Sequence, residues 1–306
     1  MRIPLIITML ILAGLYALPQ QVPLYSQYMM NKFLINPAVA GSETAPCIPI
    51  RLLGRQQWLG IEDAPQTFVL SAHTLLKDQK TGVGGFIYTD HIGPVTNTGL
   101  QASYSYHIDI TTRSILGMGI SASAFQFKMD TRDFVVADQY DPVLEGGVES
   151  ALVPDANFGL YLENDGKYYI GLSAMQLFQI NIKLGDMKSK GMVRHYFAYA
   201  GYKLRLSEEY AVEPSALIKT TERTQIQADA NLKVYYKDFY WGAVSYRHED
   251  AIIAMIGIKY NKYIFGYAYD YTLSKLRQFN SGSHEIVAGY NLFEGKDPGA
   301  TVPGGY

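Results

Sequence analysis

The chain has 306 residues, and its 26 Lys and Arg nearly balance 28 Asp and Glu. That balance removes the basic surplus expected of a nucleic-acid binder, and a single cysteine excludes an internal disulfide framework. Past the first 17 residues no apolar run reaches the roughly 20 residues of a membrane-crossing helix, yet Tyr stands at 25 copies beside 28 Gly and 13 Phe, a composition suited to strands and to membrane–water boundaries.

In chain order, Met1 and Arg2 give a positive start, Leu5 to Leu12 an apolar core, and Ala13 and Ala17 small residues near a cut. This is the pattern of a secretory signal peptide, expected over residues 1–20. A membrane anchor would need a longer apolar core, and Cys47 lies too far along to carry a lipid at a mature start.

Residues 21–49 form an N-terminal segment. Its stretch "PLYSQYMMNKFLINPAVAGS", Pro23 to Ser42, has neither helical nor strand period. We expect it to fold into or across the periplasmic mouth of a barrel, lining the lumen as a plug or docking strip, because irregular backbone at membrane depth must be buried in protein or face water. The candidate plug or partner-binding residues are Tyr25, Ser26, Gln27, Tyr28, Met29, Asn31, Asn36, Pro37 and Gly41. Gln27, Asn31 and Asn36 would bond a polar wall while Met29, Met30 and Leu34 pack on apolar patches. Pro37 would hold Asn36 out of the helical region. A plain linker into the first strand is the alternative.

From there to Phe293 the pattern is strands. In Thr98–Asp109 the residues Leu100, Ala102, Tyr104, Tyr106 and Ile108 alternate with Gly99, Gln101, Ser103, Ser105 and His107. In Gln225–Tyr236, Ile226, Ala228, Ala230, Leu232 and Val234 alternate with Gln225, Gln227, Asp229, Asn231 and Lys233. Period two marks strands with one apolar and one wet face. About fourteen such segments, beginning near Ile50, Gln66, Gly82, Thr98, Arg113, Asp155, Lys167, Val193, Tyr210, Gln225, Phe239, Ala251, Tyr263 and His284, are expected to run about 9–13 residues, near the length that crosses hydrocarbon. Tight turns follow the even strands ("ENDGK" at Glu163–Lys167, "SEE" at Ser207–Glu209, "YKD" at Tyr236–Asp238, "NK" at Asn261–Lys262), and the longest connections follow odd ones (Met129–Pro154, Ile180–Met192, Leu273–Ser283). Short periplasmic turns, longer outer loops and an even count describe an outer-membrane barrel. The expected fold is therefore all-β: one transmembrane antiparallel barrel over residues 50–293. The Gly- and Pro-rich tail, residues 294–306, would hang on the periplasmic side.

The ordered series "YSQYMMNKFLINPAVAG", "RLLGRQQWLGIEDAPQTFVLSAHTLL", "GVGGFIYTDHIGP" and "SGSHEIVAGY" resembles the PorP/SprF family of type IX secretion system membrane proteins over nearly the whole mature chain. The resemblance implies an outer-membrane location and a role in protein secretion, for some members in gliding motility. It also implies two kinds of partner: a secreted or surface-anchored protein with a C-terminal sorting domain, and the periplasmic ring and lipoprotein components of the apparatus.

On "GRQQW" the residues Arg51, Arg55 and Gln57 share a face and are expected to point inward, with Gln101, His107, Glu163, Glu213, Gln227, Asp229 and Asn231 completing the lumen candidates. They would either brace the interior or grip a cargo terminus; Trp58 would be an interfacial anchor. Ser105 and His107, two apart on one strand, are read as too distant to bond, so no catalytic pair is expected, and the histidines and lone cysteine give no paired metal spacing. We expect no cofactor and no enzymatic activity. The glycines of "GVGG", Gly82–Gly85, are read as permitting curvature. The acidic connection Asp130–Ser150 and the stretch Leu273–Ser283 are candidate outer recognition loops. The function expected is a non-enzymatic accessory that binds an exported partner and couples it to periplasmic components; the alternative is a passive channel or transporter for small apolar solutes.

Overall fold

The computed structural model describes residues 23–42, 47–130, 148–184, 187–189, 192–222 and 226–293. The expected leader, the tail and most of the acidic connection lie outside the described residues.

The inward–outward alternation becomes a ladder of antiparallel strands: β1 (Ile48–Gln56), β2 (Gln66–Leu75), β3 (Thr81–Ile92), β4 (Val95–Thr111), β5 (Ser114–Asp130), β6 (Val148–Asn164) and β7 (Tyr168–Met175). A small hairpin follows, β8 (Ile182–Leu184) with β9 (Met187–Ser189). The ladder resumes with β10 (His195–Tyr202), β11 (Leu204–Arg205), β12 (Tyr210–Thr221), β13 (Gln227–Tyr236), β14 (Tyr240–Arg247), β15 (Ala251–Tyr260), β16 (Tyr263–Thr272) and β17 (Ser283–Leu292). β1 pairs with β17, and β7 pairs with β10, which pairs in turn with β12, so the sheet closes on itself. With β11 continuing β10 past Lys203, the result is a closed 14-strand antiparallel barrel, the one strand architecture that leaves no unpaired edge to lipid.

Each strand sends its apolar set outward. Leu100 on β4, Leu232 on β13, Ile256 on β15 and Ile286 on β17 are exposed, while Gln101, Asn231, Met255 and Glu285 beside them are buried. At the tight-turn mouth the outward tyrosines pair: Tyr210 lies 5.0 Å from Tyr236 and Tyr263 lies 5.2 Å from Tyr290, centroid to centroid. That is the aromatic girdle of a membrane barrel.

Two strand expectations are corrected. β4, β5 and β6 each run 17 residues, longer than one crossing needs, and β6 begins at Val148 rather than Asp155. Their surplus stands at the long-loop mouth, where its inward residues Phe125, Phe127 and Val153 are buried in an apolar cluster. The third connection, residues 93–94, is a two-residue turn on the long-loop side.

Candidate functional site

The N-terminal segment lies along the inside of the barrel. From Tyr25 to Ala40 nearly every side chain is buried, with Gln27, Phe33, Asn36, Ala38 and Ala40 at 0% exposure. It is built of three single 3-10 turns, Tyr28–Met30, Lys32–Leu34 and Pro37–Val39, because the short apolar runs are interrupted by Asn31 and Asn36 before any longer helix can form. Asn36 is extended (φ −152°, ψ 113°), as the proline after it demands, and its side chain caps the last turn by accepting from the Ala38 amide.

The first seat is ionic. The amides of Ser26 and Gln27 donate to the two oxygens of the Glu285 carboxylate at 2.8 and 2.7 Å. The Ser26 hydroxyl donates to Asp270 at 2.6 Å and accepts from Arg55 at 2.8 Å. Arg55 also pairs with Asp270 (2.8 Å) and Glu285 (3.2 Å), and Arg247 pairs with Asp229 (3.1 Å) and Asp270 (3.5 Å). Arg55 is the penultimate residue of β1 and Arg247 the last of β14, so this seat lies toward the long-loop mouth.

A second seat lies across the middle of the wall. Asn231 donates to the Tyr28 hydroxyl at 2.6 Å, and Asn31 donates to Ser71 at 2.8 Å. The buried Met29 joins the same apolar cluster as Leu34, and Phe33 meets His73 at 5.0 Å between centroids.

The third seat is steric. Asn36 donates to the carbonyls of Leu160 (2.9 Å) and Leu172 (3.3 Å) and to the Tyr199 hydroxyl (3.2 Å). Beside it two wall positions must be glycine: a Cβ on Gly159 would collide with the Asn36 amide oxygen, and one on Gly119 with the Ala38 backbone. A Cβ on Gly82 would strike the Ala40 carbonyl, so within "GVGG" this glycine makes room for the segment rather than for curvature. Gly41 takes a left-handed φ of +74°, where only glycine sits without strain, and its amide donates to His73 at 3.2 Å.

The lumen candidates divide. Arg55 and Asp229 join the first seat and Asn231 the second. Gln101 accepts from Asn157 at 2.8 Å on the wall, Gln227 is half-buried at the start of β13, and Arg51 is buried and donates to the Ile50 carbonyl. Glu213 stands apart, accepting from Tyr169 and Tyr235, and Glu163 lines cavities at the tight-turn mouth. The expected single network is therefore two clusters. Gln57 is a correction: β1 ends at Gln56, and the Gln57 amide donates to Pro65 in the following loop, so it is not a ladder residue. Trp58 lies in the same loop with φ +44°.

Ser105 and His107 are a second correction. They lie 3.1 Å apart, because both converge on the Ala40 carbonyl, at 2.5 Å from Ser105 and 2.8 Å from His107. The Ala40 carbonyl thus gathers both side chains and ties the segment to β4. Among the described residues no group of three His, Cys, Asp or Glu side chains is placed to share a metal ion. Missed from sequence were Arg247, Asp270 and Glu285, which provide most of the first seat. Strand parity alone could have placed them inside, since Tyr269, Tyr271 and Ile286 beside them point out.

A family model described as type IX secretion system membrane protein PorP/SprF matches residues 17–290. No curated protein matches. Among solved structures, the toluene transporter TodX of P. putida aligns with a TM-score of 0.50 at 10% identity, over 84% of this chain and 92% of its own, which supports the barrel fold. The CymD monoaromatic hydrocarbon channel gives 0.48 at 11% identity over 88% and 92%. CdiB from Acinetobacter baumannii gives 0.45 at 6% over 80% of this chain, which spans 60% of CdiB.

Proposed function

The chain belongs to the PorP/SprF family of type IX secretion system membrane proteins and lies in the outer membrane as a 14-strand barrel, and from that premise we propose that it works as a platform rather than a conduit. In this reading it is a non-enzymatic component of the secretion and gliding apparatus. It binds a secreted or surface-anchored protein at its long-loop face and couples it to periplasmic ring and lipoprotein components at its tight-turn face. The observation that carries the reading is the occupied lumen: residues 25–40 fill it and are tied to the wall at three seats. A barrel so filled by its own chain offers its two faces, not its bore, to partners, and the segment serves as a plug.

The test is recovery of the native membrane complex by pull-down and mass spectrometry. We expect type IX components and a protein with a C-terminal sorting domain; recovery of neither would overturn the platform reading. The alternative, passage of small apolar solutes, draws on the likeness in fold to TodX, a toluene transporter. It predicts solute uptake that is lost with the gene, whereas the platform predicts one exported protein retained in the cell. Deleting residues 21–41 separates the plug from a plain linker. Conductance, barrel assembly and surface display all unchanged would remove the plug.

A further inference from the structure

The connection from β16 to β17, residues 273–282, leans against the outside of the wall at the long-loop rim. Asp270 and Thr272 are buried within the barrel, so Tyr269 and Tyr271, on the alternate positions of β16, face outward. The Tyr269 hydroxyl donates to the Ser281 carbonyl at 2.9 Å, and a Cβ on Gly282 would strike the Tyr269 ring. The Arg277 guanidinium lies 4.9 Å from the centre of the Tyr271 ring, a cation–π contact. Two outward rings thus carry the connection. Beside them stand Ile252, paired with Tyr271 across the ladder, and Tyr267, whose hydroxyl lies 2.7 Å from Nδ1 of His284. Tyr267, Tyr269 and Tyr271 form an aromatic belt at this rim, as a membrane–water boundary favours.

On this belt the connection presents apolar and cationic groups together. It contains one 3-10 turn, Lys275–Gln278. Leu276 and Phe279, three apart and so on one side of such a turn, are 38% and 68% exposed. Lys275 and Arg277 are the connection's charged residues, and it has no acidic one. Both are exposed, and among the described residues neither meets a carboxylate.

We infer that this rim site binds a phosphate-bearing lipid of the outer leaflet, with Arg277 as the direct partner of the phosphate and Lys275 as a second cation in the same turn. Leu276 and Phe279 are apolar contacts for its acyl chains. The longer loops of such barrels stand outside, which places the site in the outer leaflet. A lipid is assigned rather than a protein because the site is continuous with the lipid-facing wall through Tyr271 and Ile252. Two cations without a counter-ion complement a phosphate, whose oxygens a planar guanidinium meets two at a time. The inference needs only the barrel in its membrane and is independent of the platform reading.

The probe is monophosphoryl lipid A, compared with its dephosphorylated form, each titrated in zwitterionic micelles into the full-length protein and counted by native mass spectrometry. We expect saturable binding of the phosphorylated lipid, with the dephosphorylated form roughly tenfold weaker. Arg277→Gln should abolish that difference, and Lys275→Gln should weaken the phosphorylated lipid about threefold. Arg205→Gln removes an equal charge at the opposite mouth, where Arg205 pairs with Asp238 at 3.1 Å, and should change nothing. Equal binding of the two lipids, an unchanged preference in Arg277→Gln, or an equal loss in Arg205→Gln would overturn the inference. So would loss of a protein partner from the Arg277→Gln pull-down with lipid preference intact, which would make the rim a protein-docking surface.

Discussion

The two ends of the lumenal segment are held by different physics. At Ser26 and Gln27 the chain is gripped by charge: two backbone amides on one carboxylate and a hydroxyl between two guanidinium groups. At Asn36 to Ala40 it is gripped by shape, with its backbone laid on wall positions where glycine leaves no side chain and one amide shared among two carbonyls and a phenol. Ion pairs buried together are costly to break one partner at a time, whereas a steric seat fails by being filled. The ionic end is thus sensitive to deletion and the steric end to addition.

The sharpest break is at the ionic end. Arg247→Met would leave Asp229 and Asp270 buried without that partner, and denaturant unfolding in micelles should show a loss of about 3–5 kcal/mol. If the loss were below that of every substitution at the steric end, the contrast would be misdrawn. Next comes Gly159→Ala, whose added carbon meets the Asn36 amide oxygen. Overpacking should cost about 1–3 kcal/mol, and adding Asn36→Gly should recover part of it, a coupling that independent sites would not show. Asn36→Ala alone removes a cap and three wall contacts and should cost about 1–2 kcal/mol by the same unfolding measurement. At the small end, Lys237→Ala removes an exposed pair with Glu209 and should leave the midpoint unmoved, because such pairs are screened by solvent.

The barrel itself was legible because lipid enforces the strictest alternation a sequence can carry. Leu100 to Ile108 and Ile226 to Val234 announce their faces without help from neighbours. The surplus length of β6 was hidden by Pro154, a residue that argues against a strand interior, although it pairs with Ala124. The segment's burial was foreshadowed by its amides and its missing period, and Asn31, Asn36 and Gly41 do bond the wall. Its partners were not foreshadowed. Glu285 and Ser26 are 259 positions apart, and period two says which side a residue faces but nothing about its height or what stands across the lumen. For the same reason Ser105 and His107 were read along their strand, when the carbonyl that gathers them comes from Ala40.

The claim beneath all of this is that residues 25–40 occupy the lumen of the barrel in the membrane. Asn31 and Ser71, 2.8 Å apart, allow it to be measured in native outer membranes by placing Asn31→Cys with Ser71→Cys in a Cys47→Ser background and applying a short bismaleimide. Near-complete intramolecular cross-linking, seen as one shifted band of folded barrel, is the result expected of a seated segment. Absence of the cross-link, with both cysteines labelled by a membrane-impermeant maleimide, would place the segment outside the barrel and contradict the account.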